Sequence, residues 1–575
     1  MLDLLVTNAR ILTVDSERPH ATSVGIWNGR ILGLDEQLAG VKSRVTVDAG
    51  GATVAPGFHD AHCHTTSFGL GLVHLELNEV VGIGPTLEAV AAYADGLATD
   101  EWVIGFGFGS GLPPHQYPDR DELDRAGGGR PVWLTHLSGH SCVVSSAALE
   151  AVGITGAIDG TGRGRVVVDG DGRPTGLIEE SAMDLIKEHV GPSSIDRLAD
   201  AIDRATAHYV TEGITGFTDA GIGCPGIDHS PVELAAYQLA RSTGRLHTRA
   251  RLMAHNELFH SLRTHPDDLI TTGLDLGVHT GFGDEWLSLG AMKVWIDGSG
   301  LGHTAAVTTD DGRPAGGFDS DPGALRQAII DAHRGGWQVA CHTIGDAALD
   351  LVLDALEEAA TGGPYPARAG TIPRHRIEHG VMVRPDQVAR LARLRMTVVV
   401  QPLFVREFGD PLVELSAGDH GVANYFRMRS LVEAGVPVVG SSDRPVAAGS
   451  PLRGIQAMVE RTTASGQVFG SGECLTAAEA LASYTAGGAH AAHAESAWGA
   501  LTPRRLADLV VLDDDPTAVD INRIGDVGVV ATMIGGRPVH DPSSLFGSVE
   551  PDGTHGHGQG GGGGIGAVDT VGSGG

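Results

Sequence analysis

The sequence predicts an α/β fold with three parts: a barrel of eight parallel strands, a small β-sandwich domain built from both termini, and an insertion after the first barrel strand. Short apolar runs alternate with Ala- and Leu-rich amphipathic segments through most of the 575 residues, which is typical of parallel strands joined by crossover helices. Strand-rich stretches with turn signals stand at both ends. Eight strand candidates lie between them, the number that a (β/α)8 TIM-type barrel requires.

Residues 1–55 are predicted to form the N-terminal part of the β-sandwich domain. Their apolar runs are separated by Asn-Gly and Gly-Gly turns. The segments ADLVVLDDDP and GVVATMIGGRPVHD have the same character, so residues 496–545 are predicted to complete that domain. The glycine-dominated residues 546–575 cannot bury enough apolar surface to order themselves, and we expect a disordered tail there.

The barrel is predicted over residues 56–495. Its candidate strands, in order, are TVAPGFHDAH, GITGFTDAG, TRARLMAH, LGAMKVWIDG, QVACHTIGD, RHRIEHG, MTVVVQP and PVVGSSDRP. Too many residues separate the first strand from the second for a simple connection, so we interpret about 66–205 as an inserted subdomain. Within it, RGRVVVDGDGRPTGLIE predicts a hairpin and PVWLTHLSGHSCVV predicts another strand.

Composition argues against several classes of function. The 71 acidic and 40 basic side chains give a formal net charge of −31, which repels phosphate backbones and anionic lipid surfaces, so we expect neither nucleic acid nor a membrane as partner. No stretch approaches the ~20 apolar residues of a membrane span, and the N-terminus contains no signal-peptide core. The five cysteines are odd in number and form no CxxC, which predicts no disulfide framework and favours a cytoplasmic location.

Four candidate strands end in residue types that bind metals. In GFHDAHCH, His62 and His64 are two residues apart on a strand, so both imidazoles leave the same face. His342, His379 and Asp443 each follow an apolar run in a later strand. A single histidine at a strand end is more often a hydrogen-bonded structural residue than a ligand. Because active sites of TIM-type barrels lie at the carboxyl ends of the strands, metal-binding types on all these strands favour one shared metal site.

Lys293 lies in the apolar run LGAMKVWIDG and is one of only three lysines in the chain. A buried ammonium group is costly, so it must either pair with a carboxylate or lose its charge. Reaction of the neutral amine with carbon dioxide would give a carbamate able to bridge two cations. The alternative is an ion pair with Asp297 or Glu180.

The ordered motifs PGFHDAHCH, KVWIDG, CHTIGD, RIEHG and GSSDRPV, flanked by the two-ended β domain, resemble the amidohydrolase superfamily. Within it the chain is similar to the amidohydrolase family 3 group, which includes N-substituted formamide deformylase. The resemblance covers essentially residues 1–545 and includes PVWLTHLSGHSCVVSSAAL and GRPTGLIEESA. It implies a binuclear site, usually with two zinc ions: one ion held by His62, His64 and Asp443, a bridge from carboxylated Lys293, and a second ion held by His342 and His379.

The resemblance also implies hydrolysis of a C–N bond in a small-molecule amide, formamide or cyclic amide. The metals would supply hydroxide at neutral pH, and Asp443 would carry the proton from water to the leaving nitrogen. Glu180, His140 and Gln401 are further candidates for metal or substrate contacts, and a homo-oligomer is compatible with the sequence. Two alternatives stay open: a lactone or ester hydrolase or an isomerase on the same site, and a catalytically silent binding or regulatory protein.

Overall fold

The computed structural model describes residues 1–97, 101–109, 116–136, 141–158, 164–190, 193–223, 232–265, 271–300, 304–308, 314–361, 373–415 and 421–547. Its largest sheet has eight strands, and every neighbouring pair in it is parallel. In chain order, which is also their order in the sheet, these strands are β1 (Phe58–Cys63), β2 (Ile214–Ile222), β3 (Arg249–His255), β4 (Leu287–Trp295), β5 (Val339–Thr343), β6 (Arg376–His379), β7 (Thr397–Val400) and β8 (Val438–Gly440). The predicted eight-stranded barrel is therefore confirmed.

The barrel is nearly closed between its first and last strands. The amide of Asp443 donates to the carbonyl oxygen of His62 at 2.7 Å, and the amide of His64 donates to that of Arg444 at 2.9 Å. Every residue of β1, β2, β6, β7 and β8 is buried. That burial is expected of parallel strands covered by helices on one face and packed side chains on the other. These two hydrogen bonds also hold the segment that follows β8 against the end of β1.

The segment TVAPGFHDAH, predicted as one barrel strand, contains two strands in the structure. Thr53–Pro56 pairs with Leu509–Leu512 in a separate sheet, and β1 begins only at Phe58. The chain changes sheets at Gly57, where an added Cβ would lie 2.2 Å from Cγ2 of Thr215. Only glycine fits this crossing without a shift of its neighbours.

Helices connect the barrel strands and cover their outer faces. The α-helices are Thr65–Gly71, Ile83–Ala94, Arg120–Ala126, Ser146–Val152, Asp184–Val190, Ile195–Thr211, Glu233–Ser242, Pro322–Arg334, Asp346–Thr361, Pro385–Arg393, Leu403–Leu415, Met428–Glu433, Pro451–Glu460, Ala477–Ser483 and Ala486–Ala491. The longest, Ile195–Thr211, is capped by the side-chain oxygen of Ser194 and buries Leu198, Ile202 and Tyr209 at helical spacing. No helix within the described ranges is both long and apolar enough to cross a bilayer.

Two further sheets are built from the ends of the chain, one from N-terminal strands alone and one from strands of both ends. A four-stranded sheet has the order Arg30–Leu34, Val24–Trp27, Leu2–Thr7, Ser43–Asp48, and a six-stranded sheet has the order Arg537–His540, Val529–Ile534, Leu509–Leu512, Thr53–Pro56, Arg10–Leu12, His20–Ala21. Residues of both sheets share one apolar cluster. The two-ended arrangement is present, while the sandwich description and the domain boundaries stay predictions. The predicted tail from 548 onwards lies outside the described residues.

The inserted stretch between β1 and β2 contains its own sheet of six strands. Their order is Arg165–Val168, Pro174–Glu179, Ser141–Val144, Val132–His136, Val103–Phe108, Leu75–Glu76. The predicted hairpin is present as the antiparallel pair Arg165–Val168 and Pro174–Glu179. The segment PVWLTHLSGHSCVV, predicted as one strand, contains two antiparallel strands, Val132–His136 and Ser141–Val144. Two short antiparallel pairs, His260–Ser261 with Thr272–Gly273 and Val307–Thr308 with Pro314–Ala315, complete the strands of the described residues.

Candidate metal centre

Asp443 lies at the centre of a buried cluster at the carboxyl mouth of the barrel. Its Oδ1 is 3.3 Å from Nε2 of His62 and 3.2 Å from Nε2 of His64, and its Oδ2 is 4.0 Å from Nδ1 of His379. One candidate ligand atom from each of His62, His379 and Asp443 falls within 4.8 Å of the others. Side chains from β1, β6 and the end of β8 therefore enclose a volume suited to a cation.

Lys293 and His342 lie at the same mouth. Lys293 is only 1% exposed, and its Nζ is 3.5 Å from Nε2 of His62. The rings of His342 and His379 are 4.4 Å apart between centroids, and those of His62 and His379 are 4.9 Å apart. The structure thus brings together all six side chains that the sequence placed at strand ends.

Asp297, one of the two alternative partners considered for Lys293, has a different role in the structure. Its carboxylate accepts three backbone N–H groups, from Ala306 at 3.0 Å, Ile344 at 3.0 Å and Gly345 at 2.8 Å. Burial raises the pKa of Asp297 to about 7 in spite of these donors. The side chain ties the turn after β4 to the turn after β5, beside His342 at 3.9 Å.

The electrostatics of the cluster favour the protonation states that a divalent cation requires. Burial lowers the pKa of His64 to about 4 and that of His342 to about 3, and it holds the pKa of His379 well below its usual range. Burial alone would raise the pKa of Asp443, but the neighbouring His62 and His64 side chains hold it well below the ordinary value. Neutral imidazoles beside a charged carboxylate are a donor set that fits a divalent metal.

Two further side chains orient the histidines. Oε2 of Glu378 lies 2.6 Å from Nδ1 of His62, so this nitrogen carries the proton and Nε2 keeps its lone pair. Arg376 donates to both oxygens of Glu378, at 2.7 and 3.1 Å. Gln401 accepts from Nδ1 of His379 at 2.7 Å, because its own amide nitrogen donates to a serine hydroxyl. These contacts fix the tautomers of two of the candidate ligands.

Sequence reasoning missed Glu378 and Asp60. Glu378 stands directly before His379 in the fully buried strand RIEH, and an acidic residue beside a candidate ligand was the available signal. Asp60 alternates with His62 in GFHDAHCH, and its Oδ1 accepts from the amide of Ser442 at 3.0 Å. Asp60 therefore holds the segment that carries Asp443 against β1.

The backbone at two of the candidate ligands adopts an uncommon conformation. The φ angle is 74° at His379 and 60° at Asp443, both in the left-handed region. Non-glycine residues pay about 1–2 kcal/mol for this conformation. Such residues concentrate at functional sites, where the surrounding structure holds a side chain in place.

The three additional candidates have different outcomes. Gln401 is fully buried and contacts His379, as described above. His140 lies outside the described residues, and so does the side chain of Glu180. An ion pair between Lys293 and Glu180 is therefore an untested prediction.

A nearly closed parallel barrel with buried neutral imidazoles and a charged carboxylate at its carboxyl mouth defines a class, the barrel enzymes that use a divalent metal. Sequence comparison assigns the chain within this class. It belongs to the amidohydrolase family, whose model matches residues 45–540. The family resemblance inferred from the motifs is thus confirmed.

Individual relatives extend over nearly the whole chain. It is 30% identical over 551 residues to Protein LONG AFTER FAR-RED 3 of Arabidopsis thaliana, covering 94% of this chain and 91% of that protein. It is 27% identical over 550 residues to N-substituted formamide deformylase of Arthrobacter pascens, covering 93% and 98%. A crystal structure of an uncharacterized metal-dependent hydrolase from Pyrococcus horikoshii superposes with a TM-score of 0.71 at 24% identity, covering 90% and 99%. By family, the protein is a hydrolase.

Proposed function

We propose that this protein hydrolyses a C–N bond in a small-molecule amide, formamide or cyclic amide. The observation that carries the proposal is the contact of one carboxylate, Asp443, with Nε2 of both His62 and His64 at the mouth of the barrel. The similarity to a protein named N-substituted formamide deformylase supports the choice of bond.

The residues fit two zinc ions. His62, His64 and Asp443 would hold one ion, His342 and His379 the other, and Lys293 would stand between them as a carbamate. Bound divalent ions would lower the pKa of a water molecule and polarise the carbonyl oxygen of a substrate. The neutral state of the imidazoles leaves their lone pairs available for this purpose.

Asp443 moves the proton. Its carboxylate is ionised at neutral pH, so one of its oxygens can take a proton from the attacking water. The same oxygen then returns the proton to the leaving nitrogen, which departs poorly as an anion. His62 and His64 keep the carboxylate in position, and Glu378 keeps His62 in the required tautomer.

The test is a substrate screen with the zinc-loaded protein. N-formyl, N-acyl, cyclic amide and lactone substrates would be assayed with the parent chain, with Asp443→Asn, and with Asp95→Asn as a matched control on an exposed helix end. We expect turnover of at least one amide class, loss of about 10²- to 10⁴-fold in kcat for Asp443→Asn, and no change for Asp95→Asn.

Three results would contradict the proposal in different ways. Turnover of lactones alone would show that the protein cleaves an ester bond and not a C–N bond, while the proposed metal centre would stand. Full activity of Asp443→Asn would show that another group moves the proton. No metal in the purified protein and no turnover in the whole panel would show a silent binding or regulatory protein.

A further inference from the structure

A cavity of about 590 Å³ lies at the opposite end of the barrel from the candidate metal centre. Its lining includes residues near the amino-terminal ends of β2, β3 and β4 and residues of the segment 492–498 that follows the helix Ala486–Ala491. The candidate metal ligands lie at the carboxyl ends of the same parallel sheet. The two sites therefore open at different mouths of the barrel.

A packed layer separates the cavity from the metal centre. Ala220, Met253, Ala291 and Ala340 form one buried cluster inside the barrel, with exposures of 0–1%. Met253 lies between Arg251 in the cavity and His255, which is level with Lys293 in the sheet. Four residues of strand correspond to roughly 13 Å. A small molecule in the cavity consequently does not touch the metal ligands.

Arg251 is the unusual residue of this cavity. Its side chain lines the cavity, its Nε is inaccessible to solvent, and within the described ranges this nitrogen has no hydrogen-bond partner. No ion pair of Arg251 occurs among the described residues either. Burial and the nearby Arg376 lower the pKa of Arg251 to about 10, so the guanidinium is still charged at neutral pH.

The carboxylates around the cavity are already paired with other arginines. Asp508 binds Arg249 at 2.6 and 3.0 Å. Asp284 and Glu285 pair with two arginines that do not line the cavity, Arg241 and Arg30. Because a partly buried cation gains from a nearby counterion, Arg251 leaves the cavity able to accept a negative charge.

The rest of the wall is suited to an apolar body. Ala250, Ala492, Ala494 and Ala497 line the cavity together with Trp498, whose ring stacks on His59 at 4.6 Å between centroids. Burial lowers the pKa of His59 to about 3, so this imidazole is neutral and adds no competing charge. The lining also contains polar side chains and the paired Arg249, but Arg251 is the guanidinium without a carboxylate among the described residues. A guanidinium of this kind beside small apolar side chains and an indole suits an amphipathic anion.

We infer that this cavity is a second binding site, distinct from the metal centre, for a small organic carboxylate with a planar apolar body. The carboxylate pairs with Arg251 and the apolar body packs between Trp498 and the alanine wall. The site has no reaction of its own, and it does not depend on which bond the metal centre hydrolyses.

Isothermal titration of the metal-loaded protein with benzoate tests the inference. Benzamide, which has the same shape without the charge, and inorganic phosphate, which has the charge without the apolar body, are the comparison probes. We expect benzoate to bind more tightly than either probe. We expect Arg251→Gln to weaken benzoate binding by about 10- to 100-fold, the usual effect of losing a charged hydrogen-bond partner.

Two further variants make the result interpretable. Arg334→Gln removes the same charge from an exposed position next to the lining residue Gly335, and we expect it to bind benzoate as the parent does. Ala497→Phe fills the cavity while keeping Arg251, and we expect it to abolish binding. Benzoate bound at the metal centre would bind the parent and Arg251→Gln equally. That equality, or the absence of benzoate binding to the parent, would overturn the inference.

Discussion

Glu378 connects the sheet to the metal centre through a single hydrogen bond to His62 at 2.6 Å. Replacing Glu378 with glutamine keeps the shape of the side chain but removes the negative charge that Arg376 neutralises. The substitution also weakens the hydrogen bond that fixes the tautomer of His62. Loss of such a partner usually costs 10- to 100-fold in metal affinity or activity. We expect Glu378→Gln to lose about that much zinc affinity, measured by competition with a chelator.

The control for this prediction is Glu357→Gln. Glu357 also pairs with arginines, Arg390 at 2.8 Å and Arg393 at 2.6 Å, and these three side chains lie on helices outside the barrel. We expect this variant to bind zinc as the parent does. If both variants bound zinc equally well, Glu378 would have no part in holding His62.

At the residue scale, the sequence predicted the side chains that cluster at the barrel mouth and missed the groups that orient them. His62 and His64 could be found because they are two residues apart on one strand, and Asp443 because it follows an apolar run; both are local patterns. Glu378 and Asp60 act on residues more than 300 positions away, His62 and Ser442. Such pairs depend on how strands are aligned in the sheet, and one sequence does not contain that alignment.

At the scale of elements, Gly57 marks where one predicted strand becomes two. An added Cβ there would lie 2.2 Å from Cγ2 and 2.3 Å from Oγ1 of Thr215, so Gly57→Ala must push β1 and β2 apart. Forced overpacking typically costs about 1–3 kcal/mol. Because β1 ends in His62, we expect Gly57→Ala to lower both the melting temperature and the zinc affinity.

Gly84→Ala is the matched control for this prediction. Gly84 is in the helix Ile83–Ala94, and an added Cβ would meet nothing within 4 Å. Alanine favours a helix over glycine, so the melting temperature should stay the same or rise slightly. A Gly57→Ala variant as stable as Gly84→Ala would mean that the crossing between sheets tolerates a side chain.

The break at Gly57 also shows what periodicity could and could not predict. Alternating apolar runs and helices predicted the eight barrel strands in their correct order. The pairing of Thr53–Pro56 with Leu509–Leu512 joins strands from opposite ends of the chain. The antiparallel step between Val132–His136 and Ser141–Val144 is hidden because LSGH separates the strands without a strong turn pattern. In both cases the pairing between strands, and not the local sequence pattern, determines where the strands begin and end.

At the scale of the whole molecule, buried histidines make stability depend on pH. Burial lowers the pKa of His59 to about 3 and those of His74 and His493 to about 4, while unfolding returns each to about 6.5. Below about pH 6.5 the unfolded chain therefore binds more protons than the folded chain. Stability from these groups is complete above about pH 6.5 and is lost progressively as the pH falls towards 4.

We expect the melting temperature of chelator-treated protein to fall steadily from pH 7 to pH 5. Because the chelator has already removed bound metal, metal release cannot cause this fall. His493, whose Nε2 lies 3.1 Å from the carbonyl oxygen of Pro373, should contribute to that slope, so His493→Gln should flatten it. His20→Gln removes an exposed imidazole that both states leave in water and should preserve the slope of the parent. Identical slopes for all three proteins would show that His493 does not contribute to the acid sensitivity between pH 7 and pH 5.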